Sequence, residues 1–422
     1  MHRPPGKFVA RCQAGNPKRL SQKSSAASHS PTAHRRQITM RLFVLLFPAL
    51  CCFLFCAPGA LAQLSTDDHL AEPGFWPRQS AASRSDFAGA QACASCHAGI
   101  AATQKATPMA NAALYTSESG ILHEHPKLNF AFSHYKYELQ TDAQQTIYSL
   151  SDGEQTLKYP LSWAFGVGRV GQSFLFKKED GKFYEARVTY FAPLQTLNFT
   201  PGRAITSAKS AEEAMYRAIG AAEVTRCFTC HTTASNIGEE FDEKHLIPGV
   251  SCEACHSPGA KHVSAMQTAK LTGIAMETNS TIFNSAVLKP TDSVDFCGAC
   301  HGTFWDVKLG GITGPSTARS QPFRLEQSKC WGTGDARLTC IACHDPHKQL
   351  ETDTAAYDGA CLRCHVNATS AKKTADHPGP ACPVSTQNCA SCHMPKVYVP
   401  EMHDNFTDHR IRIAHPGEAY PE

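Results

Sequence analysis

Between residues 131 and 203 apolar and polar side chains alternate. HYKYELQT (134–141), TIYSLS (146–151), QSFLFKK (172–178) and KFYEARVTYF (182–191) carry the period of two that sends successive side chains to opposite faces of a strand. SDGEQ (151–155) and EDGK (179–182) divide them, and both contain the Asp-Gly pair that tight hairpins require. The pattern predicts a β-meander over 131–203. Inside it, GVGRVG (Gly166, Gly168, Gly171) matches G-x-G-x-x-G in letters only. A strand-like stretch follows where a dinucleotide site needs a helix, so a glycine-rich hairpin connection is expected. Helical texture flanks the meander. ASCHAGIAATQKA (94–106) precedes it, and SAEEAMYRAIGAAEVTR (210–226) predicts one helix capped by Ser210 with Glu213 three residues on.

The first 62 residues read differently. MRLFVLLFPALCCFLFCAPGALAQ (40–63) has a basic residue, Arg41, then a long apolar run, then the small-x-small end Ala60-Leu61-Ala62. That is the pattern of a secretory signal peptide starting at Met40 and cleaved after Ala62, with an uncleaved anchor as the alternative. Without the nine basic residues of this leader, 31 Lys and Arg face 37 Asp and Glu, a net charge of −6. Nucleic acid is therefore not an expected partner. The predicted divisions are a leader (1–62), a linker (63–85), a helical segment (86–130), the meander (131–203) and a domain over 204–422.

The twenty cysteines change the picture most. C-x-x-C-H occurs seven times: Cys93/Cys96/His97, Cys227/Cys230/His231, Cys252/Cys255/His256, Cys297/Cys300/His301, Cys340/Cys343/His344, Cys361/Cys364/His365 and Cys389/Cys392/His393. One C-x-x-C would serve equally as half a zinc site or as a redox dithiol. Seven copies, each with His in the same place on an exported chain, point to seven covalently attached haem c groups: two thioethers to the macrocycle edge and one imidazole to the iron. Six of the motifs crowd into 227–393, so the macrocycles themselves are expected to form the core there. The predicted fold is mainly α and irregular, a multihaem cytochrome c with a haem-filled core and an inserted β-meander.

Each haem iron has a second axial position. Outside the leader and the motifs remain His69, His123, His125, His134, His245, His262, His347, His377, His403, His409 and His415. Of these, His123, His134, His245, His262, His347, His377, His403 and His409 are the candidate distal ligands. His347, in LTCIACHDPH (338–347), sits too close to His344 to reach the far face of the same haem. It is expected to serve a neighbouring one, and His262 in CEACHSPGAKH follows the same logic. Cys330 and Cys382, the only cysteines left, form either a disulfide or two separate thiols.

GVSCEACHSPGAKH (249–262), LTCIACHDPH, CASCHMPK (389–396) and FTDHRIR (406–412), with FGVG and DGKFYE, resemble multihaem cytochromes related to the tetrahaem electron carrier of hydroxylamine oxidation. That group shares haem packing with pentahaem nitrite reductase and hydroxylamine oxidoreductase. The resemblance implies distal roles for His262 and His347, and for His403 or His409. Where such proteins often carry His, this chain has Met109 (TPMANA, 107–112), which either ligates an iron or is a core methionine.

Three functions follow as expectations. A carrier exchanging electrons with redox partner proteins, one of them membrane-associated, needs every iron closed by two ligands. A reductase or oxidase of a small nitrogen or sulfur compound needs one open iron, and the C-x-x-C-K mark of nitrite reductase does not occur. A homo-oligomer or extracellular filament would draw on His69 and His415 near the mature termini. The location is the periplasm or cell surface. The mature protein is expected to contain seven haems per chain by haem assay against protein concentration; a smaller count would remove one or more motifs from the reading.

Overall fold

The computed structural model describes residues 82–204, 207–237, 240–274, 281–331, 338–365 and 382–422. The leader, most of the linker, His69 and His377 lie outside them. The strands between 113 and 218 are β1 (Ala113–Tyr115), β2 (Lys127–Phe132), β3 (Tyr135–Thr141), β4 (Thr146–Ser151), β5 (Thr156–Pro160), β6 (Trp163–Phe165), β7 (Gly171–Lys177), β8 (Phe183–Phe191), β9 (Thr196–Phe199) and β10 (Tyr216–Ala218).

They form two antiparallel sheets rather than one meander. The first is β2-β3-β4-β5; the second is β1-β6-β7-β8-β10, with β9 also on β8. Alternation fixes the register of the first sheet, because a one-residue slip would turn its apolar set to water. Tyr137 pairs with Leu150 and Leu139 with Tyr148, and all four are buried. Each such side chain contributes about 1.5–3 kcal/mol by leaving water. The second sheet is covered on both faces. One cluster joins it to the first sheet through Phe174, Phe176, Ala186, Val188 and Tyr190. The other packs Trp163, Leu175 and Phe183 against Val224 and Phe228 of the helix Ala221–His231, which carries the second motif.

The single helix expected over 210–226 is broken. Ser210 does cap a helix, accepting from the Glu213 N–H, but it ends at Met215. Tyr216–Ala218 then pairs with Tyr184–Ala186 as β10, and a new helix starts at Ala221. Sheet pairing and the Arg217 contacts with Glu185 and Glu223 override local helix propensity. Strands also start ahead of 131: β1 and β2 lie in the stretch expected to be helical, so the fold holds more sheet than "mainly α and irregular". Both Asp-Gly turns are hairpin turns, with Gly153 at φ 98° and Gly181 at φ 74°. The Gly166–Gly171 stretch connects β6 to β7, as a hairpin connection and not a nucleotide loop.

Past residue 250 the character changes. Short helices recur at Cys252–His256, Ala260–Thr272, Pro290–His301, Phe304–Leu309, Gln321–Glu326, Asp358–Leu362 and Cys389–His393, followed by a hairpin pairing Lys396–Val399 with Asp404–Thr407. The buried members of both hydrophobic clusters lie between 113 and 246. Among the described residues no helix is long and apolar enough to cross a membrane.

Two glycines give opposite expectations. Gly166 has φ 91°, and a Cβ there would stand 2.7 Å from the Gly171 carbonyl oxygen. Gly166→Ala is expected to cost about 1–3 kcal/mol. Gly99 lies in the helix Ala98–Lys105 with open space around it, so Gly99→Ala is expected to gain roughly 0.5–1 kcal/mol. Urea unfolding midpoints should move down and up respectively; a fall in both would show that the Gly99 turn is not free helix.

Candidate functional site

Every C-x-x-C-H motif adopts one helical turn. The His N–H donates to the carbonyl of the first cysteine at His97 (2.8 Å), His344 (2.9 Å) and His365 (3.0 Å). His231, His256, His301 and His393 each end a helix begun at or before their first cysteine. A turn of this kind brings both thiols and the imidazole to one side of the backbone.

Contacts between motifs build these turns into a series. The first cysteines meet in three pairs: Cys93 with Cys252, Cys297 with Cys340, and Cys361 with Cys389. The Cys340 contact lowers the Cys297 thiol. Phe283 bridges motifs 3 and 4: its N–H donates to the His256 carbonyl at 3.1 Å, and its ring lies 5.8 Å from that of Phe296 in Pro290–His301. Arg363 donates to the Ala342 carbonyl, joining the sixth motif to the fifth. Cys230 donates to the Ala299 carbonyl at 3.5 Å, setting the second motif against the fourth. Numbered along the chain, the motifs run 1–3–4–5–6–7, with motif 2 beside motif 4.

The sequence treats the fourteen motif cysteines alike, and the structure separates them. All seven first cysteines are half-buried; of the second cysteines, Cys96, Cys300, Cys343 and Cys392 are exposed and Cys230, Cys255 and Cys364 are half-buried. Cys96 and Cys392 accept from the hydroxyls of their own neighbours Ser95 and Ser391, at 3.8 and 3.9 Å, and not from another motif. Cys364 continues the turn of its motif, its N–H donating to the Cys361 carbonyl at 3.1 Å, and Cys300 lies in the last turn of Pro290–His301. Helical geometry separates the two thiols of a motif: three residues on from the first, the second is rotated about 60° from it.

Two carboxylates that sequence reasoning missed hold this arrangement. Glu253, inside the third motif and 1% exposed, accepts the N–H groups of Ala88 (2.7 Å), Gly89 (2.8 Å) and Gly259 (2.8 Å). It ties the lead-in of motif 1 to motif 3. Asp358 accepts from Asn388 (2.7 Å) and Cys389 (2.8 Å), tying motif 6 to motif 7, and those N–H groups keep its carboxyl below the usual range. Their only advance signal was a position within or just before a motif, which singles out nothing.

The imidazoles are prepared as iron ligands. Nδ1 of His231 lies 3.0 Å from the Ala112 carbonyl, that of His256 3.0 Å from Phe283, and that of His393 2.9 Å from Arg412. A carbonyl can only accept, so Nδ1 carries the proton and Nε2 presents its lone pair. Burial lowers the pKa of His231, His256 and His344, and takes His409 down to about 4. The neutral form is the ligating form.

Two spare histidines face motif histidines. The rings of His347 and His256 have centroids 5.9 Å apart and planes 6° from parallel; those of His409 and His344 are 6.2 Å apart at 38°. An iron between two imidazoles at about 2.0 Å from each nitrogen separates the centroids by roughly 6 Å. Both pairs fit. His409 Nδ1 donates to the Thr407 carbonyl at 3.0 Å, and His347 Nδ1 lies 3.4 Å from the Asp345 carboxylate, so Nε2 is again the free nitrogen.

The other candidates are dispersed. His262 bonds Thr281 through Nδ1 (3.2 Å), and His245 bonds Asp242 (2.9 Å). His403 has φ 53° and packs edge-on against Phe191. The structure does not bring His123 or His134 to a motif. His123 donates Nε2–H to the Ser117 carbonyl (2.9 Å), and the His134 ring lies tilted against that of Tyr135 at the β2–β3 turn, centroids 4.0 Å apart. His125 meets the Tyr190 hydroxyl at 3.2 Å. Met109 belongs to neither hydrophobic cluster; its carbonyl accepts from Val250 at 2.9 Å, just ahead of motif 3. No disulfide joins Cys330 and Cys382. The Cys382 thiol is held in its own turn by the Ser385 and Val384 N–H groups, which lower its pKa.

Residues 198–257, which contain the second and third motifs, match the family described as cytochrome c554 and c-prime. Among solved structures, the outer cell wall cytochrome OcwA overlays with a TM-score of 0.39 and 16% identity, covering 78% of this chain and 80% of that one. No curated protein matches the sequence. The family match supports a multihaem c-type cytochrome that carries covalent haem and transfers electrons.

Beside motif 4, burial and the neighbouring Asp295 push Glu326 up to about 7 from 4.5. The folded chain therefore holds a proton that the unfolded chain releases between about pH 4.5 and 7, and stability falls as pH rises through that window. Glu326→Gln is expected to unfold at the same urea concentration as the parent below pH 4.5 and at a higher one above pH 7. Parallel midpoints at all pH values would place Glu326 in water.

Proposed function

We propose that the chain is an exported heptahaem electron carrier, with His256/His347 and His344/His409 as two bis-His axial pairs. The observation that carries this reading is the series of motif contacts 1–3, 4–5, 5–6 and 6–7, with Phe283 bridging 3 and 4 and motif 2 beside 4. Haem c, once attached, supplies one-electron chemistry at iron. The protein's own part is to fix the attachment points and imidazoles. In this reading the half-buried first cysteines set the spacing of the motifs. The second thioethers come from Cys96, Cys230, Cys255, Cys300, Cys343, Cys364 and Cys392. Carbonyls hold Nδ1–H, burial keeps the rings neutral, and Glu253 and Asp358 keep paired motifs together. The absence of apolar clusters built on described residues past 250 fits a core made of macrocycles there. The apolar leader with its small-residue end supports export to the periplasm or cell surface, where donor and acceptor proteins would dock.

Visible spectra of the mature protein, oxidised and dithionite-reduced, with and without carbon monoxide, test the reading. Seven low-spin haems indifferent to the gas are expected. A high-spin share near one in seven that shifts with carbon monoxide would instead mark an open iron, and nitrite and hydroxylamine would be the first substrates to try. His347→Ala is expected to open one haem in seven, whereas His123→Ala and His134→Ala should open none. A closed spectrum in His347→Ala would remove the His256/His347 pair.

A further inference from the structure

We propose that Arg324 is a positioning residue for the distal imidazole of His409, acting through Asp408; this rests on His344 and His409 sharing one iron. Arg324 and Asp408 are both fully buried, the only such cation among the described residues. The guanidinium grips the carboxylate with two bonds, Nε to Oδ1 at 2.8 Å and Nη2 to Oδ2 at 2.9 Å. Its other amino group is engaged as well. Nη1 donates to the Pro421 carbonyl (2.9 Å) and to Gln327 Oε1 (3.2 Å), and the plane lies 4.6 Å from the centre of the Tyr420 ring. Asp408 in turn accepts from Arg412 Nη1 (2.8 Å) and the Arg410 N–H (3.1 Å).

One turn further on, Ser328 Oγ accepts the Ile411 N–H at 2.8 Å and donates to the His409 carbonyl at 3.3 Å. The residues on either side of His409, and its own backbone, are thus held from one short segment, 324–328. That segment spans the end of the helix Gln321–Glu326, which packs on Pro290–His301, with the Phe323 N–H donating to the Gly302 carbonyl at 3.3 Å. Pro290–His301 carries motif 4, whose Cys297 touches Cys340 of motif 5. His344 and the anchor of His409 therefore share one frame. A bidentate Arg–carboxylate pair fixes orientation as well as distance, which a single hydrogen bond or an apolar contact would not. Desolvating two charges gives little net stability. Orientation of the 408–412 segment is what the pair supplies.

The test uses the haem-loaded protein. His409→Ala, Arg324→Gln, Asp408→Asn and Arg324→Lys are compared with Arg217→Gln, which breaks a network of similar type on β10. The readouts are the high-spin share, its shift with carbon monoxide, and its reversal by added imidazole, at a verified seven haems per chain. His409→Ala is expected to open one haem in seven. Arg324→Gln and Asp408→Asn should open the same share, reversed by imidazole, while Arg324→Lys, a cation without a fork, opens a smaller share and Arg217→Gln none. If His409→Ala opens one haem but the Arg324 and Asp408 variants stay closed, the positioning role is overturned and the axial pair stands. If His409→Ala opens none, the axial pair itself falls and the inference with it. Loss of haem, or opening of several, in both Arg324→Lys and Asp408→Asn would make the pair a general prop and overturn the role as well.

Discussion

Carboxylates that accept backbone N–H groups are the contacts on which the arrangement of motifs depends. Glu253 binds three such groups, and Asp358 two from the chain of another motif. An ionised oxygen makes a stronger hydrogen bond than a neutral one, and bonds of this type select a direction. In the β region, by contrast, large aromatic and aliphatic side chains do the holding. Dispersion and desolvation set separation there but are tolerant of rotation. A chain that must present thiols and imidazoles at fixed angles gains more from directional contacts, and it places them beside the motifs.

Tyrosine hydroxyls show how the two regimes meet. Tyr137 and Tyr148 bury their rings in the sheet cluster and donate to the Ala214 and Met215 carbonyls at 3.1 and 2.8 Å. They hook the helix Ala211–Met215 onto the sheets at its C-terminal end, where carbonyls have no partner within the helix. The chain then turns through β10 and Gly220 into the helix that ends at His231. Burial of Phe228 on the sheet and the bond from His231 to Ala112, next to β1, make motif 2 an extension of the β region.

How much of this was legible in sequence divides along the same line. Alternation and Asp-Gly turns located the strands and hairpins, because period and turn chemistry are local properties. Seven C-x-x-C-H turns were legible for the same reason. Which cysteine of each turn meets another motif was not, because C-x-x-C spacing is the same for Cys93 and Cys96 and only the packed neighbour tells them apart. The break at Tyr216 was equally hidden, since helix propensity says nothing about an edge of β8 open to pairing at Tyr184–Ala186. The expectation that His347 serves a haem other than its own needed only chain geometry; that its ring faces His256 needed the fold. His123 and His134 have the residue type of ligands, yet each lies on a β-side contact of its own. Glu253 and Asp358 carried no local signal at all.

The confinement of apolar clusters to 113–246 bears on how such a protein matures. Ordering a residue costs about 1–2 kcal/mol of backbone entropy, and hydrophobic burial is the main term that offsets it. The two sheets meet that cost from their own side chains. The stretch that carries motifs 3 to 7 has only scattered buried side chains such as Val294, Val307 and Phe323 among its described residues. On the proposed reading the sheets owe their packing to their own side chains, while the later motifs would close only once bound macrocycles supplied the apolar surface they lack. The β region would then be the template, because its own packing already holds motif 2.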